Sequence, residues 1–415
     1  MRVLQVNKFY YLARGAERYY FDLKKLLEDN GNEVIPFAMA NIRNQATPYQ
    51  DYFAKNVDLK RPNYSLDSLR KAKNIIYNRA AQQDVARLII KTHPQLVHIH
   101  NIYHQLSPAI LPVFKHFKLP VVMTIHDFKL ICPNYSLFIG GKTCERCKVH
   151  RYYNCVLHRC LKNSFGASTV AAAEMYVHSA LKTYQKNVDI FIAPSQFVKT
   201  KLVEWGWPTE KIKVIPHFTL PQPKLVLPRA KNYIFCFGAL ERGKGIEELI
   251  RALYSEKIDI DLHVAGEGSD RKNLEKLVDK YNLGYRVQFL GKLGEEQLKE
   301  EIRHCKFVVV PSIQYEAFGL TVLEAFSYGK PALVSTQGAL PELIIGQVGR
   351  IFNPQKKGSL GANLRAMLDD PNLEQIGKNA QELARIKYGP QEHYQRIMDV
   401  YNQLLGGEKY ETPPR

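Results

Sequence analysis

No run of about 18 apolar residues occurs anywhere in this 415-residue chain, so no membrane-spanning helix is written into it. The start, Met1-Arg-Val-Leu-Gln-Val, turns polar at Asn7 before the apolar core of a secretory signal forms. A soluble, intracellular protein is expected. Acid is also scarce: 40 Asp and Glu stand against 58 Lys and Arg, a net charge of +18. That surplus suits anionic company, whether nucleic acid, anionic lipid or phosphorylated small molecules, and it suits equally a merely basic soluble surface. Compact runs of five or more basic residues are missing, as is any basic and aromatic ladder, which argues against nucleic acid. A disulfide framework is disfavoured as well, because the seven cysteines are odd in number and come without a secretory signal.

What is present points to a large α/β protein. Apolar residues make up 45% of the chain, which excludes wholesale disorder, and the length exceeds what one core usually supports. Short apolar runs alternate with longer amphipathic stretches, the pattern of parallel strands joined by crossover helices. In the first half these runs are 3–6, 33–37, 96–100, 121–126, 189–193 and 213–215; in the second they are 233–237, 261–265, 287–290, 307–310 and 332–334. Between the halves, Pro216 to Pro228 carries four prolines and reads as a linker. We therefore expect two doubly wound, Rossmann-like domains at 1–217 and 231–387, a linker at 218–230, and a last helix within 388–407 packing back on the first domain. Beyond Gly406 a frayed tail is expected.

In open α/β sheets, ligands sit beyond the carboxyl ends of the strands, so the residues after each apolar run deserve inspection. The strongest candidate is Pro311-Ser-Ile-Gln-Tyr-Glu316-Ala-Phe318-Gly319-Leu320, which leads into a helix carrying Glu324 in its second turn. Unpaired N–H groups near Phe318, Gly319 and Leu320 suit a phosphate, and Gly319 lets a ligand approach the main chain. Two carboxylates flanking such a site suit sugar and ribose hydroxyls. The spacing of Glu316 and Glu324 around Phe-Gly resembles the signature of retaining GT-B glycosyltransferases of family four. The resemblance implies two Rossmann-like domains facing across a cleft, with Glu316 on the donor sugar and Glu324 on the nucleotide ribose.

Further elements carry the same resemblance across most of the chain. Gly238-Ala-Leu-Glu-Arg242-Gly-Lys244-Gly245 is similar to the family's phosphate-binding loop, which implies that Lys244 neutralises the diphosphate. Ala239 stands where the family usually has arginine, and Arg242 is the candidate substitute. Arg14-Gly15-Ala-Glu-Arg18 resembles the diphosphate loop after the first strand, with Arg14 in place of the first glycine. Thr124-Ile-His126-Asp127 resembles the motif that sets a histidine beside the donor sugar. Ala193-Pro-Ser195 and Gly266-Glu-Gly268 are further landmarks, readable also as turns that only shape the cleft. Asp259-Ile-Asp261 precedes a strand and reads as solvated charge instead of a metal site, and the sequons at Asn63 and Asn134 lack a secretory context.

The expected reaction moves a sugar from a nucleotide-sugar donor to a glycan or lipid-linked acceptor, with retention and without an essential metal, in cell-surface polysaccharide synthesis. The basic charge and the resemblance extend this to an anionic membrane surface on the cytoplasmic side. A sugar-nucleotide epimerase or hydrolase of the same fold, and a non-catalytic sugar-nucleotide sensor, are the competing readings. Last, five cysteines crowd into 132–160, a polar stretch too long for an ordinary connection. Cys144-x2-Cys147 and Cys155-x4-Cys160 offer four thiols for a structural zinc, with His150 and His158 as substitute ligands and reduced thiols or a redox disulfide as the alternative. Beginning beside His126, this loop is expected to shape the acceptor site.

Overall fold

A computed structural model of the chain describes residues 1–56, 74–220, 222 and 230–406. Most of the proline-rich linker, the Asn63 sequon and the residues after Gly406 lie outside this range. Among the described residues, fourteen strands form two parallel six-stranded sheets and one small antiparallel hairpin. The first sheet has the order β2-β1-β3-β4-β7-β8, built from β1 (Arg2–Val6), β2 (Glu33–Phe37), β3 (Leu96–Ile99), β4 (Val121–Thr124), β7 (Ile190–Ala193) and β8 (Ile212–Val214). The second has the order β11-β10-β9-β12-β13-β14, from β9 (Tyr233–Phe237), β10 (Asp261–Ala265), β11 (Val287–Gly291), β12 (Val308–Val310), β13 (Ala332–Ser335) and β14 (Gly349–Phe352). The hairpin joins β5 (Phe138–Ile139) to β6 (Lys142–Thr143) inside the cysteine-rich stretch.

The central strands are buried on both faces, which is why they read as continuous apolar runs instead of alternating ones. Helices cover those faces, and several of those in the first domain start at a side-chain cap. Glu17 accepts the Arg14 N–H at 3.0 Å to open the helix Gly15–Asp29, and Ser195 Oγ accepts from Val198 N to open Gln196–Glu204. The last helix, Pro390–Leu404, buries Tyr394, Ile397 and Tyr401 with Val3, Leu23 and Val122, so it belongs with the first sheet although it follows the second. Each such buried apolar side chain contributes on the order of 1.5–3 kcal/mol.

Three details differ from the sequence reading. The runs expected at 96–100 and 121–126 stop pairing at Ile99 and Thr124, so His100 and His126 lie in the loops beyond the strands, where ligands are met. The edge strand β14 and the β5–β6 hairpin were not anticipated: the former alternates Arg350 and Ile351, both exposed, and the latter has two residues per strand.

Candidate active site

Strand order changes direction twice, between β1 and β3 in the first sheet and between β9 and β12 in the second. Loops diverge at such points and leave a crevice beyond the carboxyl ends. The two crevices face each other. A Cβ on Gly15, the first residue of its helix, would stand 3.4 Å from Cδ1 of Leu320, the first residue of Leu320–Ser327. Two helix N-termini therefore meet there, each with unpaired N–H groups and the positive end of its dipole. Arg14 reaches Glu241 at 3.1 Å and Arg18 reaches Glu324 at 3.7 Å, which ties the walls together electrostatically. Ser195 adds a third tie by donating to Ala317 O at 2.8 Å, and Glu342 accepts from Gln196 N and Phe197 N at 2.9 and 2.7 Å.

The loops after β9 and β12 are in close contact. At Gly245, whose φ is +72°, a Cβ would lie 1.8 Å from Pro311 O, so only glycine fits. This packing brings Lys244 Nζ to 2.7 Å from Glu316 Oε1, and Ser312 Oγ donates to the same oxygen at 2.5 Å. Gly319 has φ +128°, and a Cβ there would come within 2.9 Å of Leu340 and Leu343. That tight seat turns the chain into the helix and leaves Phe318, Gly319 and Leu320 at its start. Glu324 lies one turn further on. Burial raises its pKa, the Arg18 charge opposes the shift, and Asp22 and Glu295 add to it. Arg242 is engaged elsewhere: Glu248 holds it at 2.7 Å and Glu247 at 3.5 Å. Lys244 and Glu316 are thus brought together, whereas Arg242 is bound by the acidic first turn of the helix behind it.

His126 lies within a column of imidazoles. Its ring stacks on His100 at 5.2 Å and on His217 at 5.3 Å; His100 stacks on His98 at 4.7 Å, and His217 meets Phe318 of the opposite wall at 5.1 Å. Burial holds His126 and His98 down at about 3, with His100 and His217 well below the usual range, so all are neutral. Neutral rings have one donor and one acceptor nitrogen, and the contacts assign them. Gln5 Nε2 lies 3.3 Å from Tyr20 O, which only accepts, and 3.2 Å from His100 Nε2. His100 Nε2 is then an acceptor, its proton is on Nδ1, and it donates to His126 Nε2 at 2.9 Å. His126 must carry its proton on Nδ1. The half-buried His126 is therefore a neutral hydrogen-bond donor and no proton reservoir at neutral pH.

Beside it, burial lowers Lys8, with Asp127 and Glu17 opposing that shift. Asp127 accepts from Tyr103 Oη and Lys129 N, both at 2.9 Å. Lys8, His100 and His217 were missed by motif. Lys8 and His100 stand directly after β1 and β3, the signal that singled out His126; His217 lies in the stretch read only as linker.

The cysteine-rich stretch brings Cys132, Cys144, Cys147, Cys155 and Cys160 to the walls of one cavity of about 10 Å³. All are free thiols. A hydrogen bond from Cys160 pulls Cys155 down and leaves Cys160 raised, while burial pushes Cys147 up to about 12. As the side chains stand, no group of three or more His, Cys, Asp or Glu among the described residues is arranged to hold a metal ion. The four expected zinc ligands share the walls of that cavity. Of the other features, Asp259 pairs with Arg286 at 3.1 Å, and Asn134 is buried, its amide donating to Phe138 O.

Comparison with known proteins follows the same outline. The family described as Glycosyltransferase Family 4 matches residues 13–219, and the one described as Glycosyl transferases group 1 matches residues 220–383. An uncharacterized glycosyltransferase of Methanocaldococcus jannaschii, MJ1178, is 26% identical over 407 residues, covering 97% of this chain and 99% of that protein. A second from the same organism, MJ1607, is 34% identical over 175 residues, which is 41% of this chain and 45% of that protein. Among solved structures, Anabaena HepE in complex with UDP and glucose has a TM-score of 0.66 at 19% identity, over 97% of this chain and 99% of that one.

Proposed function

The chain belongs to the group 1 glycosyltransferases of GT-B fold, and from that premise we propose that it moves a sugar from a nucleoside-diphosphate donor to a glycan or lipid-linked acceptor with retention of configuration. The observation that carries the reading is the ion pair of Lys244 with Glu316 beside the opposed N-termini of Gly15–Asp29 and Leu320–Ser327. An anionic diphosphate is what such a cradle binds, and a structural neighbour is described with UDP and glucose bound.

In this reading the anomeric carbon–phosphate oxygen bond breaks as the acceptor oxygen forms its bond on the same face. The acceptor's proton passes to the departing phosphate. Lys244 and the helix N–H groups meet the negative charge that develops there, without an essential metal ion. Glu316 exchanges its contact with Lys244 for a sugar hydroxyl, Glu324 accepts from the ribose, and His126 donates through Nδ1–H to a sugar oxygen. The product enters cell-surface polysaccharide at the cytoplasmic face of the membrane.

Calorimetry with UDP, GDP and ADP in turn tests the donor site. At least one should bind. Glu324→Ala should weaken it tenfold or more, whereas Glu316→Gln should leave it within about threefold while slowing diphosphate release from the matching nucleotide sugar about a hundredfold. Wild-type binding and turnover in both variants would refute the assignment.

A further inference from the structure

The outside of the cysteine-rich stretch has a chemistry of its own. From Arg146 to Ala173 there is no Asp or Glu, while Arg146, Arg151 and Arg159 fall within it and are exposed. Four large apolar side chains share this acid-free segment: Val149 is 71% exposed, Tyr153 51%, Leu157 69% and Phe165 63%. Local structure turns them outward. On the short helix Tyr153–Leu157, Cys155 is buried against the thiol cluster, so Tyr153 and Leu157, two residues to either side, are left to face solvent. Arg146 bonds to His158 at 3.1 Å, which sets a guanidinium beside Leu157.

We propose that this face is a docking surface for a bilayer rich in anionic phospholipid, with the apolar side chains entering the headgroup boundary and the arginines meeting the phosphates. The proposal rests on the membrane-facing part of the function proposed above and gives it a location. Charge complementarity alone would suit any polyanion. Exposed apolar groups interleaved with the arginines select an interface that is anionic outside and apolar within. The other end of the same stretch reaches the cleft: Tyr315, one residue before Glu316, lies beside Thr143 and Glu145, with Lys201 Nζ 5.7 Å from its ring. Glu145 also pairs with Lys201 at 2.9 Å. Docking through the outer end therefore holds the mouth of the site beside the lipid surface, where a lipid-linked acceptor would arrive.

Vesicle co-sedimentation decides it, using phosphatidylcholine alone and phosphatidylcholine mixed with phosphatidylglycerol. The wild type should bind only the mixed vesicles, and added salt should release it. Replacing Arg146, Arg151 and Arg159 together by Ser should lower partitioning about a hundredfold. Val149→Ser with Leu157→Ser and Phe165→Ser should lower it at least about tenfold. The control replaces Lys272, Lys276 and Lys280, exposed along one face of the helix Arg271–Lys280, by Ser and should change partitioning less than about threefold. Equal loss in the control would show that diffuse net charge binds the vesicles, and would overturn the proposal. So would absence of binding at low salt, or an apolar triple variant that binds like wild type, the behaviour of a polyanion site. Nucleoside diphosphate titrated into the same variants keeps the outcomes separate: lost vesicle binding with intact diphosphate binding bears on docking alone.

Discussion

Lowering the pH from about 7.5 to about 5.5 should cost the first domain several kcal/mol of stability, because its interior holds histidines that fold only as neutral rings. Three of them, His98, His126 and His393, are held at about 3 by burial. A folded-state pKa depressed below the unfolded value, about 6.5, makes the unfolded chain bind more protons throughout the window between the two. The stability these rings confer is complete above about 6.5 and drains away as the pH falls toward 3. Over two units centred on 6.5, each ring loses about 1.4 kcal/mol, so three lose about 4 kcal/mol. His100 and His217, lowered further still, carry the sum toward about 7 kcal/mol.

Buried acids oppose this. Burial raises Asp22 to about 6, so the folded chain takes up its proton over the same interval and recovers about 1 kcal/mol. Glu17, Asp127 and Glu324 shift in the same sense as Asp22. The net loss is about 3–6 kcal/mol against a total stability of about 5–15 kcal/mol, enough to bring unfolding close. Denaturant unfolding at a series of pH values measures it, and the slope of stability against pH divided by 2.3RT counts the protons taken up. Two to four should appear near pH 5.5, and His98→Gln should remove about one whatever it does to stability itself. A slope below one proton in the wild type would refute the buried neutral column.

Two other outcomes follow from the site. Lys244→Ala should lower turnover about a hundredfold, since it removes a fixed cation beside the leaving diphosphate, whereas Arg242→Ala should stay within about threefold because Glu247 and Glu248 already hold that guanidinium; steady-state kinetics checks both, and similar rates would displace Lys244 from the site. For the thiol cluster we propose a structural zinc gathered by Cys144, Cys147, Cys155 and Cys160 on reorientation of their side chains: protein purified without an affinity tag should carry about one equivalent, lost in Cys144→Ser with Cys147→Ser, and a zinc content near zero in the wild type would leave the cavity to thiols alone.

The α/β architecture was legible because its central strands are buried on two faces, so local composition and final environment agree. β14 escaped for the opposite reason: as an edge strand it leaves Arg350 and Ile351 exposed and loses the apolar signal. The loops after β9 and β12 could be singled out because each is short and carries its glycine, cation or carboxylate within a few residues. Their meeting through Gly245 and Pro311 depends on which strands are neighbours, and strand order is not written locally.

The imidazole column is the extreme of that second kind. His98 lies on β3 with His100 just past its end, His126 follows β4, His217 lies between the sheets, and His393 sits on the last helix, so beyond the pair on β3 no spacing in the sequence relates them. Yet the column decides what the motif histidine is. Tyr401 of the last helix and Thr124 bond the two nitrogens of His98, at 2.5 and 2.7 Å. His393 donates through Nδ1 to Pro216 O at 2.8 Å and so accepts at Nε2 from Tyr19 Oη at 2.9 Å, and the Tyr19 ring lies 4.0 Å from that of His217. Gln5 fixes the proton of His100, and His100 fixes that of His126. A histidine at the end of β4 would otherwise be free to offer either nitrogen, and its role would be set by whatever ligand arrived. Here the donor atom is chosen in advance by side chains from β1 and β3, while the last helix closes the column from behind, so the polarity of His126 is a property of the folded first domain and not of the motif that contains it.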